Sequence, residues 1–181
     1  MNGNFSGAVC ARCRPHWELD GLLVIAPYAQ KSLLQTCIKT MKYGAAHSLV
    51  KILGDWMAEQ ASLPAQNFIL IPVPLFKTRE RKRGYNQALL LAERVARATG
   101  QPLEQSIKRI RNTPPQAQLS RENRLKNLRD AFCFKGKSPI ANKKVILIDD
   151  VCSTGATLNE CAKVLRQQGV KQIWGLVLAR G

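Results

Sequence analysis

The 181 residues of this chain are 45% apolar and 22% charged, a composition typical of one globular domain with a small N-terminal appendage. No apolar run approaches the roughly 20 residues that cross a bilayer, which excludes helical membrane insertion, and the polar residues 1–7 show no secretory signal, so we expect a cytoplasmic protein. With 28 Lys and Arg against 12 Asp and Glu, the net charge is +16, which favours anionic partners such as nucleotides, diphosphates or nucleic acid.

The first half of the chain is predicted to form a tail followed by alternating strands and helices. The predicted elements are, in order, a loop-like tail at 1–20, a buried strand at 22–26, helices at 32–41 and 47–61, a buried strand at 68–73 and a basic loop at 77–84. Gly44 and Pro64 follow the two helices, where residues that do not continue a helix are expected.

The second half of the chain repeats the alternation. Its predicted elements are a helix at 86–99 ended by Gly100, a mobile basic loop at 104–130 with a short helix near 120–128, a buried strand at 145–148, a helix at 157–168 ended by Gly169, and a strand at 173–179. Strand, helix, strand is a βαβ unit, whose strands are parallel and whose crossover is right-handed. The sequence therefore predicts an α/β fold with a mostly parallel sheet flanked by helices.

Six cysteines are spread through the chain, at positions 10, 13, 37, 133, 152 and 161. Without a secretory signal we expect them to be free thiols. Cys37, Cys133 and Cys161 lie in apolar or helical patterns that are typical of small core residues. Only Cys10 and Cys13, which are separated by two residues, have the spacing of metal ligands.

The clearest chemical signal is the segment from Val145 to Thr157, VILIDDVCSTGAT. A buried strand that ends at Asp149 and Asp150 delivers both carboxylates to the carboxyl edge of the sheet, where ligands bind in open α/β folds. The following turn leads into a helix N-terminus, whose free amides and dipole favour a phosphate. Carboxylates beside a phosphate cradle suit a ligand such as ribose 5-phosphate.

The turn itself has the side chains that a phosphate site needs. Ser153, Thr154 and Thr157 offer hydroxyl donors, and Gly155 lets the backbone approach the ligand. Other phosphate motifs are absent: the turn lacks the second Gly and the Lys of a P-loop, Gly155 stands alone, and Ser153 replaces the last acid of an Asp-Asp-x-x-Asp motif. The structural alternative is an acid pair that only caps the next turn.

This segment resembles the phosphoribosyl diphosphate (PRPP) binding motif of type I phosphoribosyltransferases, with four apolar residues, two acids and a hydroxyl-rich loop that ends in Gly-x-Thr. Together with Pro72-Val73-Pro74, with Arg-Gly-Tyr-Asn-Gln at 83–87 and with Lys42-Tyr43, it is similar to the ComF family of phosphoribosyltransferase-like proteins associated with bacterial competence. The resemblance covers the chain from about residue 10 onward. It implies a type I phosphoribosyltransferase-like core that binds PRPP or another sugar phosphate.

The resemblance also assigns roles to residues. Asp149 and Asp150 would hold the ribose 2′- and 3′-hydroxyls, while Pro74 and Leu75 correspond to the loop that grips the diphosphate. The residues that would hold the 5′-phosphate are Cys152, Ser153, Thr154, Gly155, Ala156 and Thr157. No redox role is expected for Cys152, which occupies a variable position of the motif.

Catalysis implied by the resemblance would displace diphosphate from the anomeric carbon of PRPP. Asp149 and Asp150 would favour positive charge on the ribose, whereas Mg²⁺ and Arg83 would stabilise the leaving diphosphate. A flexible lid would exclude water and add cations. The lid residues are Arg109, Arg111, Gln116 and Arg124. No residue pattern identifies the acceptor.

By this resemblance the chain divides into a tail (1–20), a hood with the N-terminal helices (21–64) and a phosphoribosyltransferase-like core (65–181). Relatives commonly begin with two C-x-x-C pairs that form a zinc knuckle, whereas here only Cys10 and Cys13 are present. Two ligands cannot close a tetrahedral zinc site. Either a first pair is missing from this chain or the knuckle has decayed to a remnant, and in both cases we expect Cys10 and Cys13 not to hold Zn²⁺ by themselves.

Two other functions stay open at this point. One is a non-catalytic or regulatory competence protein on the same fold, which binds single-stranded DNA or a competence partner. The charge of +16 favours it, but only Tyr85 adds an aromatic ring for base stacking near the basic residues at 77–83. The other is a docking scaffold with Trp17, Trp56 and Trp174 as contacts. A homodimer is left open as well.

Overall fold

The computed structural model describes residues 17–43, 47–61, 63, 67–113 and 128–181. The elements are β1 (Gly21–Pro27), α1 (Leu33–Tyr43), α2 (His47–Gln60), β2 (Phe68–Pro72), α3 (Lys77–Arg83), α4 (Gln87–Thr99), β3 (Ile107–Arg109), β4 (Phe132–Phe134), β5 (Lys144–Cys152), α5 (Ala156–Arg166) and β6 (Gln172–Arg180). Strands and helices alternate along the chain as the apolar pattern predicts.

The main sheet has four parallel strands in the order β1-β6-β5-β2. Helices cover both of its faces, so its central strands are apolar on both sides, as is usual for parallel sheets. Neighbouring residues of β5 serve the two faces in turn: Leu147 packs with α5 and the β3–β4 pair, and Ile148 packs with α1, α2 and α4. The predicted α/β fold with a parallel sheet is confirmed.

Two segments that were expected to be loops contain regular structure. The basic residues 77–83 form the helix α3, which has no buried residue. In the expected loop at 104–130, Ile107–Arg109 forms β3, which pairs antiparallel with β4. Both expectations failed because these elements are short and polar, so they show no apolar periodicity. The short helix expected near 120–128 lies largely outside the described residues.

The first strand belongs to the core sheet, although the sequence placed it in the hood (21–64). β1 pairs with β6 along its whole length, from Gly21 beside Trp174 to Pro27 beside Arg180. Only α1 and α2 of the predicted hood lie outside the sheet, and they pack on the face that also carries α4. A boundary at residue 64 therefore does not separate this strand from the core.

The cysteines in the described residues are free thiols, as expected. Cys161 is buried in the core, as predicted, whereas Cys37 and Cys133 are only half-buried. Cys10 and Cys13 lie outside the described residues. Within the described ranges no helix is long and apolar enough to cross a membrane.

Candidate functional site

A small pocket opens at the carboxyl end of β5. Its lining residues are Asp149, Val151, Cys152, Ser153, Gly155, Ala156, Thr157 and Leu158. The pocket forms here because the two neighbours of β5 end at different levels. β2 stays beside β5 only as far as the Pro72–Ile148 pair, whereas β6 continues to Cys152. The end of β5 is therefore open on one side, at the edge where α/β folds bind ligands.

Much of the pocket lining comes from the turn after β5 and from the first residues of α5, and we call residues 153–157 the phosphate loop. Gly155 precedes the first residue of α5 with φ of +79°, a left-handed conformation that favours glycine. The Thr154 hydroxyl accepts a hydrogen bond from the Ala156 amide at 3.4 Å. The first amides of a helix have no partner within the helix and are suited to bind an anion. The predicted turn and helix N-terminus are thus present, and phosphate binding by them stays a prediction.

The two acids of the motif do not share this pocket. β5 does not end at the acids, as the sequence predicted, but continues through Cys152, and adjacent strand residues point to opposite faces. Asp149 lines the pocket, and its carboxylate also accepts a hydrogen bond from the Asp150 amide at 2.8 Å. Asp150 is only 3% exposed and is not among the lining residues.

Asp150 is instead paired with a lysine from the N-terminal helices. Lys42 Nζ lies 2.8 Å from Asp150 Oδ2, and the other oxygen of Asp150 accepts a hydrogen bond from the Val151 amide at 2.8 Å. One oxygen of this carboxylate is therefore in the ion pair and the other is in a backbone hydrogen bond. A ribose hydroxyl that reached Asp150 would share the carboxylate with Lys42.

Burial has the largest single effect on the pKa values of Asp149 and Lys42. Burial and the neighbouring charge of Asp150 raise the pKa of Asp149 to about 8, although Lys42 opposes the shift. Burial disfavours the charged form of Lys42, but the charge and hydrogen bond of Asp150 outweigh it and raise the pKa of Lys42. Without a ligand, these surroundings thus favour the charged form of Lys42 and the neutral form of Asp149.

The Arg-Gly-Tyr-Asn-Gln segment holds the surrounding elements in place. Gly84 ends α3 in the left-handed conformation, with φ of +86°. The Tyr85 hydroxyl donates to the backbone carbonyl of Met41, one residue before Lys42. This bond fixes the last turn of α1, which carries the partner of Asp150.

Asn86 connects the same segment to the loop that follows β2. Its side chain accepts a hydrogen bond from the Ala88 amide at 3.1 Å, which caps α4, and donates to the Val73 carbonyl at 3.1 Å. The predicted diphosphate-loop residues Pro74 and Leu75 follow directly and are half-buried. Neither of them lines the pocket of the phosphate loop.

Arg83 and Arg109, which were predicted to stabilise the diphosphate, lie in different surroundings. Arg83 ends α3, contacts Gln87 and lies close enough to Lys42 to oppose its charge. Arg109 is a buried residue of β3: its guanidinium donates to Thr113 Oγ1 at 2.5 Å, and burial together with Arg79 lowers its pKa.

The remaining lid residues are at the surface or outside the described residues. Arg111 is exposed and donates to the Arg129 carbonyl at 2.6 Å. Gln116 and Arg124 lie outside the described residues. The role of a lid therefore stays a prediction for all four residues, with Arg109 held by the strand pair β3–β4.

Three residues that lie near the site were not predicted from the sequence to take part in it. Lys42 pairs with Asp150, the Trp17 ring lies against Gly155, and the guanidinium of Arg180 stands over the Trp17 ring. Arg180 could have been found, because it ends the strand next to β5 at the carboxyl edge. Nothing in the sequence pairs Lys42 or Trp17 with residues more than 100 positions away.

Comparison with known proteins agrees with this geometry. The family described as Phosphoribosyl transferase domain matches residues 86–181. The solved structure of the allosteric regulatory enzyme of purine biosynthesis superposes with a TM-score of 0.50 and 22% identity over 72% of this chain and 25% of that chain, which shows the fold alone. Fold and sequence thus define a type I phosphoribosyltransferase-like domain.

Curated relatives narrow the class to one family. Competence protein F of Haemophilus influenzae is 35% identical over 94% of this chain and 77% of its own length. Competence protein ComFC of Bacillus subtilis is 32% identical over 90% and 68%, and DNA utilization protein YhgH of Salmonella typhi is 33% identical over 92% and 76%. The chain belongs to the ComF family of phosphoribosyltransferase-like proteins.

Replacing Lys42 by Met should destabilise the protein, because Asp150 would stay buried without its partner. We expect a loss of roughly 2 kcal/mol in the free energy of unfolding, since Lys42 itself is partly solvated. Urea denaturation measures it. Lys39→Met, on the exposed side of the same helix, is the matched control and should be near neutral. Equal stability of the two variants would show that the ion pair is not structural.

Stability should depend on pH through Asp149. The pKa of Asp149 is raised on folding, so the folded chain binds one proton more than the unfolded chain between about pH 4 and pH 8, and stability falls as pH rises through this window. In metal-free buffer, the free energy of unfolding of Asp149→Asn, measured relative to that of the wild type, should therefore rise by more than about 1 kcal/mol from pH 5 to pH 8. A constant difference across this range would contradict the burial of the carboxyl group.

Proposed function

We propose that the chain binds PRPP with Mg²⁺ at this pocket and transfers the phosphoribosyl group to an acceptor that is not identified. The observation that carries the proposal is the pocket itself, in which the carboxyl group of Asp149 and the phosphate loop at the N-terminus of α5 line one opening. A ligand with hydroxyls at one end and a phosphate at the other matches this arrangement. Another sugar phosphate would fit the same arrangement. We also propose that the protein acts in the cytoplasm.

Each end of the ligand has a counterpart in the chain. The amides and hydroxyls of residues 153–157 bind the 5′-phosphate. Asp149 accepts a hydrogen bond from a ribose hydroxyl, and Asp150 takes the second when Lys42 shares it. Arg83 and the lid arginines, of which Arg111 is exposed, stabilise the leaving diphosphate.

The residues fit a magnesium ion that arrives with the diphosphate. In the described part of the chain no group of three or more His, Cys, Asp or Glu side chains could cage a metal. Mg²⁺ typically takes one or two carboxylates together with substrate phosphates. Asp149 would hold it here, since a nearby cation offsets the burial and the repulsion from Asp150 that raise the pKa of this carboxyl group. The ion would supply positive charge to the diphosphate.

The chemical step breaks one bond and forms another at the anomeric carbon. The bond from this carbon to the diphosphate oxygen breaks with its electron pair, and a nucleophilic atom of the acceptor forms the new bond. Positive charge develops on the ribose in between, so the ionised carboxylate of Asp149 beside the ring stabilises that state. A bound cation or the positive charge that develops on the ribose favours this ionised form of Asp149.

Isothermal titration with PRPP and Mg²⁺ tests the binding step. We expect saturable binding by the wild type and an affinity reduced by about tenfold or more in Asp149→Asn, because one charge-assisted hydrogen bond is lost. Glu93→Gln, an exposed acid on α4, is the matched control and should bind as the wild type does. If folded wild-type protein does not bind PRPP, the proposal fails. A screen of nucleobases and amines for diphosphate release then identifies the acceptor.

A second candidate function rests on the surface of α3. This helix carries Lys77, Arg81 and Lys82 at its exposed surface, and Glu80 is its one acidic residue. With a net charge of +16 on the chain, such a surface attracts nucleic acid phosphates. Relatives named for competence and DNA utilization make single-stranded DNA, or a competence protein, the partner to test.

Single-stranded DNA binding should depend on α3 and not on the pocket. Arg81→Gln/Lys82→Gln should weaken binding and reduce the slope of log affinity against log salt by about 1.4, since each phosphate contact contributes about 0.7. Lys143→Gln/Lys171→Gln removes the same charge at the opposite edge of the sheet and should leave the slope nearly unchanged. Equal effects of the two pairs would mean that net charge, and not this helix, attracts DNA.

A further inference from the structure

The last strand of the sheet places an arginine beside the phosphate loop. Arg180 ends β6 and pairs with Cys152, the residue before the loop, and the Gly181 amide donates to the Cys152 carbonyl at 3.3 Å. Because parallel strands share one carboxyl edge, Arg180 lies at the edge where the loop opens. Its side chain is exposed.

A tryptophan connects this arginine to the loop. The Trp17 ring lies so close to Gly155 that a Cβ added there would come within 2.4 Å of it. The guanidinium carbon of Arg180 is 5.9 Å from the centre of the same ring, within the range of a cation–π contact. Gly155 is therefore required twice, for its left-handed backbone and for the space that the ring occupies.

The segment that carries Trp17 is anchored along α5. The Glu18 amide donates to Asn159 Oδ1 at 2.7 Å, and Arg166 forms an ion pair with Asp20 at 2.8 Å. These contacts begin one turn below the phosphate loop and follow the same helix. The position of Trp17 is thus set by the helix whose N-terminus forms the phosphate cradle.

The charge of Arg180 has no acidic partner in the described part of the chain. Arg94 and Arg166 are each paired with an aspartate there, whereas no salt bridge of Arg180 is found. Its charge does reach the loop, because burial raises the pKa of the Cys152 thiol to about 11 and Arg180 opposes that shift. A guanidinium without an anion beside an anion cradle is a ready partner for a phosphate.

We propose that Arg180 is a phosphate-binding residue of this site and that Trp17 is the positioning residue that holds its guanidinium over the phosphate loop. This inference rests on the proposed function, because it takes the loop to bind the terminal phosphate of a sugar phosphate. The backbone amides and helix dipole offer only about half a positive charge. Arg180 adds a full charge and two parallel donors for a phosphate dianion.

The cation–π contact explains why an exposed arginine can serve this purpose. A long side chain at the surface samples many rotamers, and binding a ligand would require it to be ordered. The attraction to the Trp17 ring favours rotamers that keep the guanidinium near the loop before the ligand arrives. The segment that follows Cys10 and Cys13 in the sequence is thereby linked to the affinity of the site.

Titration of ribose 5-phosphate in magnesium-free buffer tests the proposal, since this probe carries the phosphate and lacks the diphosphate. Arg180→Gln should lower the affinity by about tenfold or more, and Arg180→Lys should recover part of it, because it keeps the charge and loses the paired donors. Arg97→Gln, an exposed arginine on α4, removes the same charge at a distance and should bind as the wild type does. Ribose without phosphate should show no difference between Arg180→Gln and the wild type.

Tryptophan fluorescence gives a readout that a purely structural role would not change. Ribose 5-phosphate should alter the emission of the wild type and not that of Trp17→Phe, which keeps an aromatic face for the guanidinium. If wild-type protein binds neither PRPP nor ribose 5-phosphate, the proposed function fails. If it binds both and Arg180→Gln matches Arg97→Gln, only the role of Arg180 is overturned, and the proposed function stands.

Discussion

The ion pair between Lys42 and Asp150 joins the N-terminal helices to the strand that carries the site. A carboxylate that is 3% exposed must have a partner, and this one comes from the last turn of α1. Since neighbouring strand residues alternate, fixing Asp150 towards α1 turns Asp149 towards the pocket. This interaction therefore holds Asp150 away from the pocket that Asp149 lines.

Hydrogen bonds from the Arg-Gly-Tyr-Asn-Gln segment hold the elements around the Lys42–Asp150 ion pair in place. Tyr85 holds the carbonyl next to Lys42, and Asn86 caps α4 and reaches the loop after β2. Gly84 makes the turn that places both side chains. Gly84, Tyr85 and Asn86 thus each have a structural role, and together they hold α1, β2 and α4 around the end of β5.

Secondary structure encoded by a short segment could be predicted from the sequence, whereas contacts between residues far apart in the sequence could not. The apolar run of β5 and the small residues that follow it specify a strand, a turn and a helix within one short segment, so this local order was predicted correctly. The strand was expected to end at Asp149 and Asp150, whereas pairing with β6 extends it to Cys152. Lys42 and Trp17 lie more than 100 residues before Asp150 and Gly155, which they contact. The three-residue strand β3 is too short to show an apolar period.

The central claim is that Asp149 and the phosphate loop hold the two ends of one sugar phosphate. The most direct measurement is a crystal structure of the protein with PRPP and Mg²⁺ bound. The account predicts the 5′-phosphate on the amides of residues 153–157 and a ribose hydroxyl on the Asp149 carboxylate. A phosphate bound along α3, with the pocket at the end of β5 unchanged, would contradict it.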